Sequence, residues 1–208
     1  MWVVYCMYRS FSPVKQSVLH ERFSTQFKRA MAGWKFSLLN SMKDPELVVK
    51  SDDEIVIMKD KYPKSQFHYL VLPKADINST ISLDSSHLPI VKYMDEQARK
   101  FIHTHYEDVV FWLGYHARPS LQRLHLHLIS DDFQGSGLKN AKHWNSYTTR
   151  FFLPSSKIID DLEKFSCVRI PEDEKCNEYL KSKLRCHKCS HCPPNMPALK
   201  KHLETHNK

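Results

Sequence analysis

Glycine is scarce, four in 208 residues. Neither the G-x-G-x-x-G fingerprint nor the Walker G-x4-G-K-[ST] loop occurs, so the two common phosphate cradles built from backbone N–H groups are missing. That excludes a P-loop nucleoside triphosphatase and a nicotinamide enzyme. Long apolar runs are missing as well. None approaches the roughly 18 residues that a membrane-spanning helix needs, and no membrane partner is expected. The six cysteines form no evenly spaced framework: Cys6, Cys167 and Cys176 are scattered, whereas Cys186, Cys189 and Cys192 are bunched beside histidines. Such a cluster argues for metal in a reducing compartment, not for disulfides.

Positive charge is in excess, at a formal +8. Residues 1–32 carry +4, residues 33–134 carry −2 and residues 135–208 carry +6. A near-neutral block between basic flanks suits a pocket whose polyanionic substrate is held by its surroundings, although a basic balance also serves solubility alone. The first 32 residues, with serines, arginines and a single acid, have the composition of a mitochondrial presequence and equally of a disordered leader. They stand outside the fold argument.

Two β-rich runs, "DEIVIMKDKYP" and "SQFHYLVLPK", close on prolines and predict an antiparallel pair. Residues 86–105 place Leu88, Val91, Met94, Ala98 and Ile102 at helical spacing, which predicts an amphipathic helix. "VVFWLGYHA" and "RLHLHLIS" read as two further strands joined across Pro119 and Ser120. Strands, helix, strands is the order of an α+β domain with a mainly antiparallel sheet. After a polar loop, residues 156–181 are expected to include a helix.

The strand "RLHLHLIS" holds the main chemical signal. Strand side chains alternate faces, so Arg123, His125 and His127 share one face and Leu124, Leu126 and Leu128 the other. The leucines can bury against a helix and leave the imidazoles toward a cleft. Ionisable groups on a buried face are costly when unpaired, yet a His-x-His strand alone is also compatible with a structural role. His116 and Ser120 lie one turn upstream and His68 lies in an earlier strand, so a nucleophile, an orienting partner and phosphate donors could converge here.

The terminus "CHKCSHCPPNMPALKKHLETH" contains Cys186, Cys189, His202 and His206 as C-x2-C-x12-H-x3-H. This spacing closes a tetrahedral zinc site from two thiolates on a turn and two imidazoles on one helix face. A second register, Cys189 with Cys192, shortens the intervening loop to nine residues, and the first pair is preferred. Lys200 and Lys201 on the finger helix, and Lys139, Lys142 and His143 after the histidine strand, are candidate DNA-phosphate contacts. Trp144 beside them reads as core.

"HLHLI" preceded by "GYHARPS" resembles the histidine-triad signature. In order along the chain, "MKDP", "KDKYPKSQFHYLVLP", "LGYHARPS", "LKNAKHWNS" and the terminal finger resemble the aprataxin branch of that superfamily, whose members remove AMP from DNA. The similarity runs from about Gly33 to His206, and no counterpart of the phosphopeptide-binding domain of vertebrate members is read. Beyond the leader at 1–32, set apart by its composition, it implies a histidine-triad catalytic domain at 33–155, a connecting helical segment at 156–181 and a C2H2 zinc finger at 182–208. It further implies that His125 is the nucleophile of an adenylyl-histidine pathway, with His127 and Ser120 in the phosphate pocket, His116 assisting the leaving phosphate, His68 supporting the site and Asp60 on the ribose hydroxyls. Arg123 stands where the family has its first triad histidine, either contacting phosphate as a bidentate donor or lying at the strand's surface.

The expected substrate is double-stranded or nicked DNA bearing a 5′-linked AMP, with RNA-containing ends as a variant and AMP as product. One structural Zn2+ is expected and no cofactor for the chemical step, in a monomer located in the nucleus or the mitochondrion. A histidine-triad hydrolase of small dinucleoside polyphosphates and a non-catalytic nucleic-acid-binding module are the alternatives.

Overall fold

The structure is a computed structural model and describes residues 37–206. The leader at 1–32 lies outside the described residues. A short helix α1 (Ser37–Ser41) leads into the strands β1 (Val48–Ser51), β2 (Ile55–Lys59) and β3 (His68–Pro73), then helix α2 (Leu88–His105). Strands β4 (Phe111–His116) and β5 (Leu126–Ser130) follow, then α3 (Ala141–Thr148), β6 (Phe152–Pro154), α4 (Ser155–Phe165), α5 (Asp173–Lys181) and the finger helix α6 (Met196–Leu203). The six strands form one sheet in the order β1-β2-β3-β5-β4-β6, and every pairing is antiparallel. The α+β class with an antiparallel sheet is thus the observed one, and the β2–β3 and β4–β5 pairs match the sequence reading. Strands β1 and β6 were not anticipated, because four and three residues are too few to show a period.

One face of the sheet carries Ile55, Ile57, Val71, Leu126 and Leu128, packed under Val91, Met94, Ala98 and Phe101 of α2 and Ile158 and Leu162 of α4 in one apolar cluster. Each fully buried aliphatic side chain there contributes roughly 1.5–3 kcal/mol. The opposite face divides. Beneath β2 and β3 it is apolar, with Val56, Met58, Leu70 and Leu72 around Leu38, which explains why "IVIM" and "LVL" read as unbroken hydrophobic runs. Toward β5 and β4 it carries histidines. Helix α4, in the segment expected to connect two units, shares the core of the sheet.

The finger is built onto the sheet domain. Leu184, Cys186, Leu199 and Leu203 sit in one cluster with Ile129, Phe133, Trp144 and Tyr147, and Trp144 is fully buried, as a core residue. Its indole N–H donates to the Arg185 carbonyl at 3.0 Å, and the Asn145 amide donates to the carbonyls of Leu180 and Ser182 at 3.1 and 2.7 Å. Removing residues 182–208 uncovers Trp144 and Phe133 and should lower the stability of what is left by at least about 2 kcal/mol, several degrees in melting temperature for a domain of this size. Thermal unfolding of the truncated and intact chains measures this; equal midpoints would show that the finger is energetically separate.

Candidate active site

Register places the histidines. His127 of β5 lies opposite Leu70 of β3 and Gly114 of β4, and directly opposed residues in an antiparallel pair share a face. His68 and His116, two residues from Leu70 and Gly114, fall on that face too. The rings of His116 and His127 are 4.6 Å apart between centroids, those of His125 and His127 4.8 Å, and those of His68 and His127 5.3 Å. A cavity of about 840 Å³ opens over them, lined by Asp60, Ser120, His116, His125 and His127 on the sheet side. Lys64, Lys139, Lys142 and His143 line it from the loops and the start of α3.

Hydrogen bonds fix which ring nitrogen holds each proton. The Arg123 carbonyl can only accept, and it lies 2.8 Å from Nδ1 of His125. His125 is therefore protonated at Nδ1 and holds a free lone pair at Nε2. The Lys64 backbone N–H can only donate, and it meets Nδ1 of His68 at 3.2 Å. Neutral His68 is therefore protonated at Nε2, which donates to Nδ1 of His127 at 3.0 Å. That leaves the proton of His127 on Nε2, an atom without a hydrogen-bond partner among the described residues. The Tyr147 hydroxyl stands 3.5 Å from the same His127 Nδ1. His125 and His127 both line one cavity, so a ring with a free lone pair stands beside a ring with an unpartnered N–H, a nucleophile beside a donor for developing negative charge.

Burial holds these rings uncharged. Desolvation pushes the His68 pKa down to about 4, against a partial opposing pull from Asp60. It lowers His125 as well, and drives His116 and His127 well below the ordinary imidazole value, with neighbouring imidazoles adding to the penalty. The Asp60 carboxylate approaches His68 Nε2 at 3.6 Å and also accepts from the Tyr62 N–H at 2.6 Å. Asp60 thus caps the turn at 60–62 and lines the cavity as well.

Arg123 is elsewhere. Regular alternation stops before β5, and Arg123 sits at φ 85°, which turns its side chain away from the imidazoles. Its guanidinium is buried against the carbonyls of Pro73, Lys74 and Ala75 and pairs with Asp76. Neither placement expected of Arg123, phosphate contact or strand surface, is the observed one: the side chain does not line the cavity and is buried. Lys200 and Lys201 lie on α6 and are not among the cavity-lining residues.

Several lining residues were missed. Lys64 supplies both the N–H that sets the His68 tautomer and a half-buried ammonium whose pKa is lowered by desolvation. Tyr147, whose hydroxyl stands beside His127, drew no attention in the sequence. Gly135 and Gly137 let the polar loop approach the turn at 62–65: a Cβ on Gly137 would stand 2.3 Å from the Tyr62 carbonyl oxygen, and one on Gly135 2.3 Å from that of Pro63. The G-x-G spacing in "FQGSGLK" was the available signal.

In the finger, Cys186, Cys189, His202 and His206 bring their ligand atoms within 4.8 Å of one another. Sγ of Cys186 lies 3.4 Å from Nε2 of His206, Sγ of Cys189 3.2 Å from Nε2 of His202, and the two Nε2 atoms are 3.2 Å apart. These separations suit the edges of a tetrahedron with ligands roughly 2.0–2.3 Å from a zinc ion. Cys192 instead turns toward the Ser190 carbonyl, so the preferred register is the one that fits.

The family model described as scavenger mRNA decapping enzyme C-term binding matches residues 33–143, and the C2HE / C2H2 / C2HC zinc-binding finger model matches residues 148–208. Aprataxin of Danio rerio is 43% identical over 83% of this chain and 53% of its own length. An aprataxin-like protein of Saccharomyces cerevisiae is 31% identical over 82% of this chain and 94% of its own length. The chain thus spans about half the length of some curated relatives. A crystal structure titled as aprataxin ortholog Hnt3 in complex with DNA shares the fold, with TM-score 0.64, 20% identity, and coverage of 85% of this chain and 94% of that one. An antiparallel sheet presenting neutral histidines to a cavity, a fused Cys2His2 finger and relatives that match across both make this chain a member of the aprataxin family of histidine-triad proteins.

Proposed function

We propose that this protein hydrolyses the phosphoanhydride that joins AMP to a 5′-phosphorylated DNA end, releasing AMP and restoring the 5′-phosphate. The observation that carries the reading is the committed tautomer of His125, whose Nδ1–H is held by the Arg123 carbonyl. The lone pair on Nε2 attacks the α-phosphorus, a bond forms from nitrogen to phosphorus, and the bridging P–O bond breaks with its electron pair on the departing DNA phosphate. Water then attacks the adenylyl-histidine, the N–P bond breaks back to His125, and AMP leaves with one proton released to solvent. Splitting one displacement into two is covalent catalysis.

The other groups follow from their donors. His127 Nε2–H stabilises a non-bridging oxygen, because His68 has already taken its Nδ1 as acceptor. The Ser120 hydroxyl is assigned to the same phosphate, His116 to the departing one, and Asp60 to the ribose hydroxyls. Lys64, Lys139 and Lys142 form a positive wall for the strand leaving the cavity, with neutral His143 beside them as a hydrogen-bonding group, and Lys200 and Lys201 extend that field along the finger. A zinc ion held by Cys186, Cys189, His202 and His206 would fold the finger and take no part in the chemistry. Location in the nucleus, with the mitochondrion as a second site, follows from the same reading.

Purified protein incubated with end-labelled adenylated duplex should release AMP, and acid quenching should trap a covalent AMP adduct. His125→Ala should abolish the adduct and lower turnover by at least about 1,000-fold, the scale seen when a nucleophile is removed. Undiminished hydrolysis by His125→Ala would end the assignment.

The histidine pKa shifts set the pH behaviour. An unfolded imidazole titrates near 6.5, while the four buried rings titrate lower, His68 at about 4. Below pH 6.5 the unfolded chain therefore binds protons that the folded chain does not, and folding stability falls by up to about 1.4 kcal/mol per pH unit for each ring. Above pH 6.5 both states are neutral and these rings impose no pH dependence. Turnover should fall less between pH 7.5 and pH 6 than the roughly fourfold loss expected of an imidazole of ordinary pKa, which is about three-quarters protonated at pH 6. A kcat profile with its midpoint at 6.5 or above would contradict burial as the controlling influence.

Metal analysis of the purified chain should give one zinc per molecule. Cys189→Ser should abolish retention and lower the melting temperature, because Cys186 and the finger leucines share the core around Trp144, while Cys192→Ser should leave both unchanged. Equal losses in the two variants would favour the other register.

A further inference from the structure

Arg123 is the position where this chain departs from the triad pattern, and it has no access to the cavity. It is 6% exposed. Nη2 donates toward the carbonyls of Pro73, Lys74 and Ala75 at 3.0, 3.2 and 2.8 Å, and Nη1 pairs with Asp76. The next residue is tied to the same loop, since the Leu124 N–H donates to the Ile77 carbonyl at 2.8 Å. Between these anchors the backbone adopts φ 85°, a left-handed conformation that a residue with a side chain keeps only where its surroundings impose it. The carbonyl fixed by this arrangement is the one that receives the His125 Nδ1–H.

We propose that Arg123 is a positioning residue: by clamping its guanidinium under the 73–77 loop it holds its own carbonyl against His125 Nδ1, and so sets both the tautomer and the aim of the nucleophilic ring. A neutral imidazole can hold its proton on either nitrogen. Without a fixed acceptor at Nδ1, part of the population moves the proton to Nε2 and loses the attacking lone pair. Arginine suits the task because a planar fork reaches several carbonyls and a carboxylate together, whereas an ammonium on a single flexible stem does not. The cation stays outside the cavity, so its removal changes the attacking step and leaves substrate binding alone. The kinetic half of this inference rests on the proposed reaction; the tautomer half does not.

The test uses the full chain with Arg123→Ala and Arg123→Lys. The nitrogen-15 NMR signals of the His125 ring report its tautomer directly, and steady-state kinetics on adenylated duplex report kcat and KM separately. Wild type should show a single Nδ1-protonated form. Arg123→Ala should show both tautomers, with kcat down about 100-fold for a misplaced reacting group and KM within twofold, and Arg123→Lys should fall between the two. Where Arg123→Ala fails to fold by circular dichroism, Arg123→Lys carries both readouts. An unchanged tautomer with wild-type kcat overturns the proposal, as does a rise in KM at constant kcat, which would mark a phosphate contact. If wild-type protein leaves adenylated DNA intact, the proposed function fails while the ring spectrum still decides the role of Arg123.

Discussion

The site depends on keeping several imidazoles buried and uncharged on one side of a sheet. A buried neutral imidazole has one donor and one acceptor, and leaving either unmet costs about 1–3 kcal/mol. On this sheet the backbone meets that demand first. The Arg123 carbonyl accepts a hydrogen bond from His125, and the Lys64 N–H donates one to His68. These two contacts are irreversible in direction, because a carbonyl never donates and an amide N–H never accepts. The proton of His127 follows from the second of them, through His68. The atoms left over, a lone pair on His125 and an N–H on His127, are the ones an attack on phosphorus requires.

The same constraint explains why loops govern the site although strands carry it. His68, His116 and His127 are placed by register within β3, β4 and β5, but the proton positions of His68 and His127 are set from the turn before β3, and that of His125 from the loop before β5. Gly135 and Gly137 press a third loop against the turn at 62–65, through hydrogen bonds from their N–H groups to the carbonyls of Lys64 and Pro63 at 3.1 and 2.7 Å. That contact holds the turn whose backbone reads His68. Anything that loosens the loop thus acts on His127 through two hydrogen bonds, with no change to the sheet.

Much of this was legible from residue order. The two hairpin pairs, the helix over 88–105, the leucine face of β5 and the metal-ligand spacing each follow from a period or a spacing repeated often enough to read. Arg123 did not, because alternation assumes extended backbone and the chain is left-handed there. Nor did Lys64 and Tyr147. Lys64 acts partly through its backbone, where every residue type looks alike, and Tyr147 differs from a core aromatic only in a hydroxyl that meets His127. Strands β1 and β6 were too short for periodicity, although β6 sets Phe152 beside His116.

Helix α3 joins the chemistry to the finger. Within its eight residues, His143, Ser146 and Tyr147 face the cavity while Trp144 and Asn145 hold the chain at 180–185. Helical spacing puts these two sets on adjoining faces, so the distance from His127 to the finger is fixed by one rigid element and not by a flexible linker. In the proposed reaction that rigidity has a direct use. A strand held along the finger and the basic wall would present its 5′ end at one place, and an in-line attack needs the reacting atoms at roughly 3–3.5 Å. In that proposed reaction the finger would act on rate through position, which would require the shared core around Trp144 as much as the charges on Lys200 and Lys201.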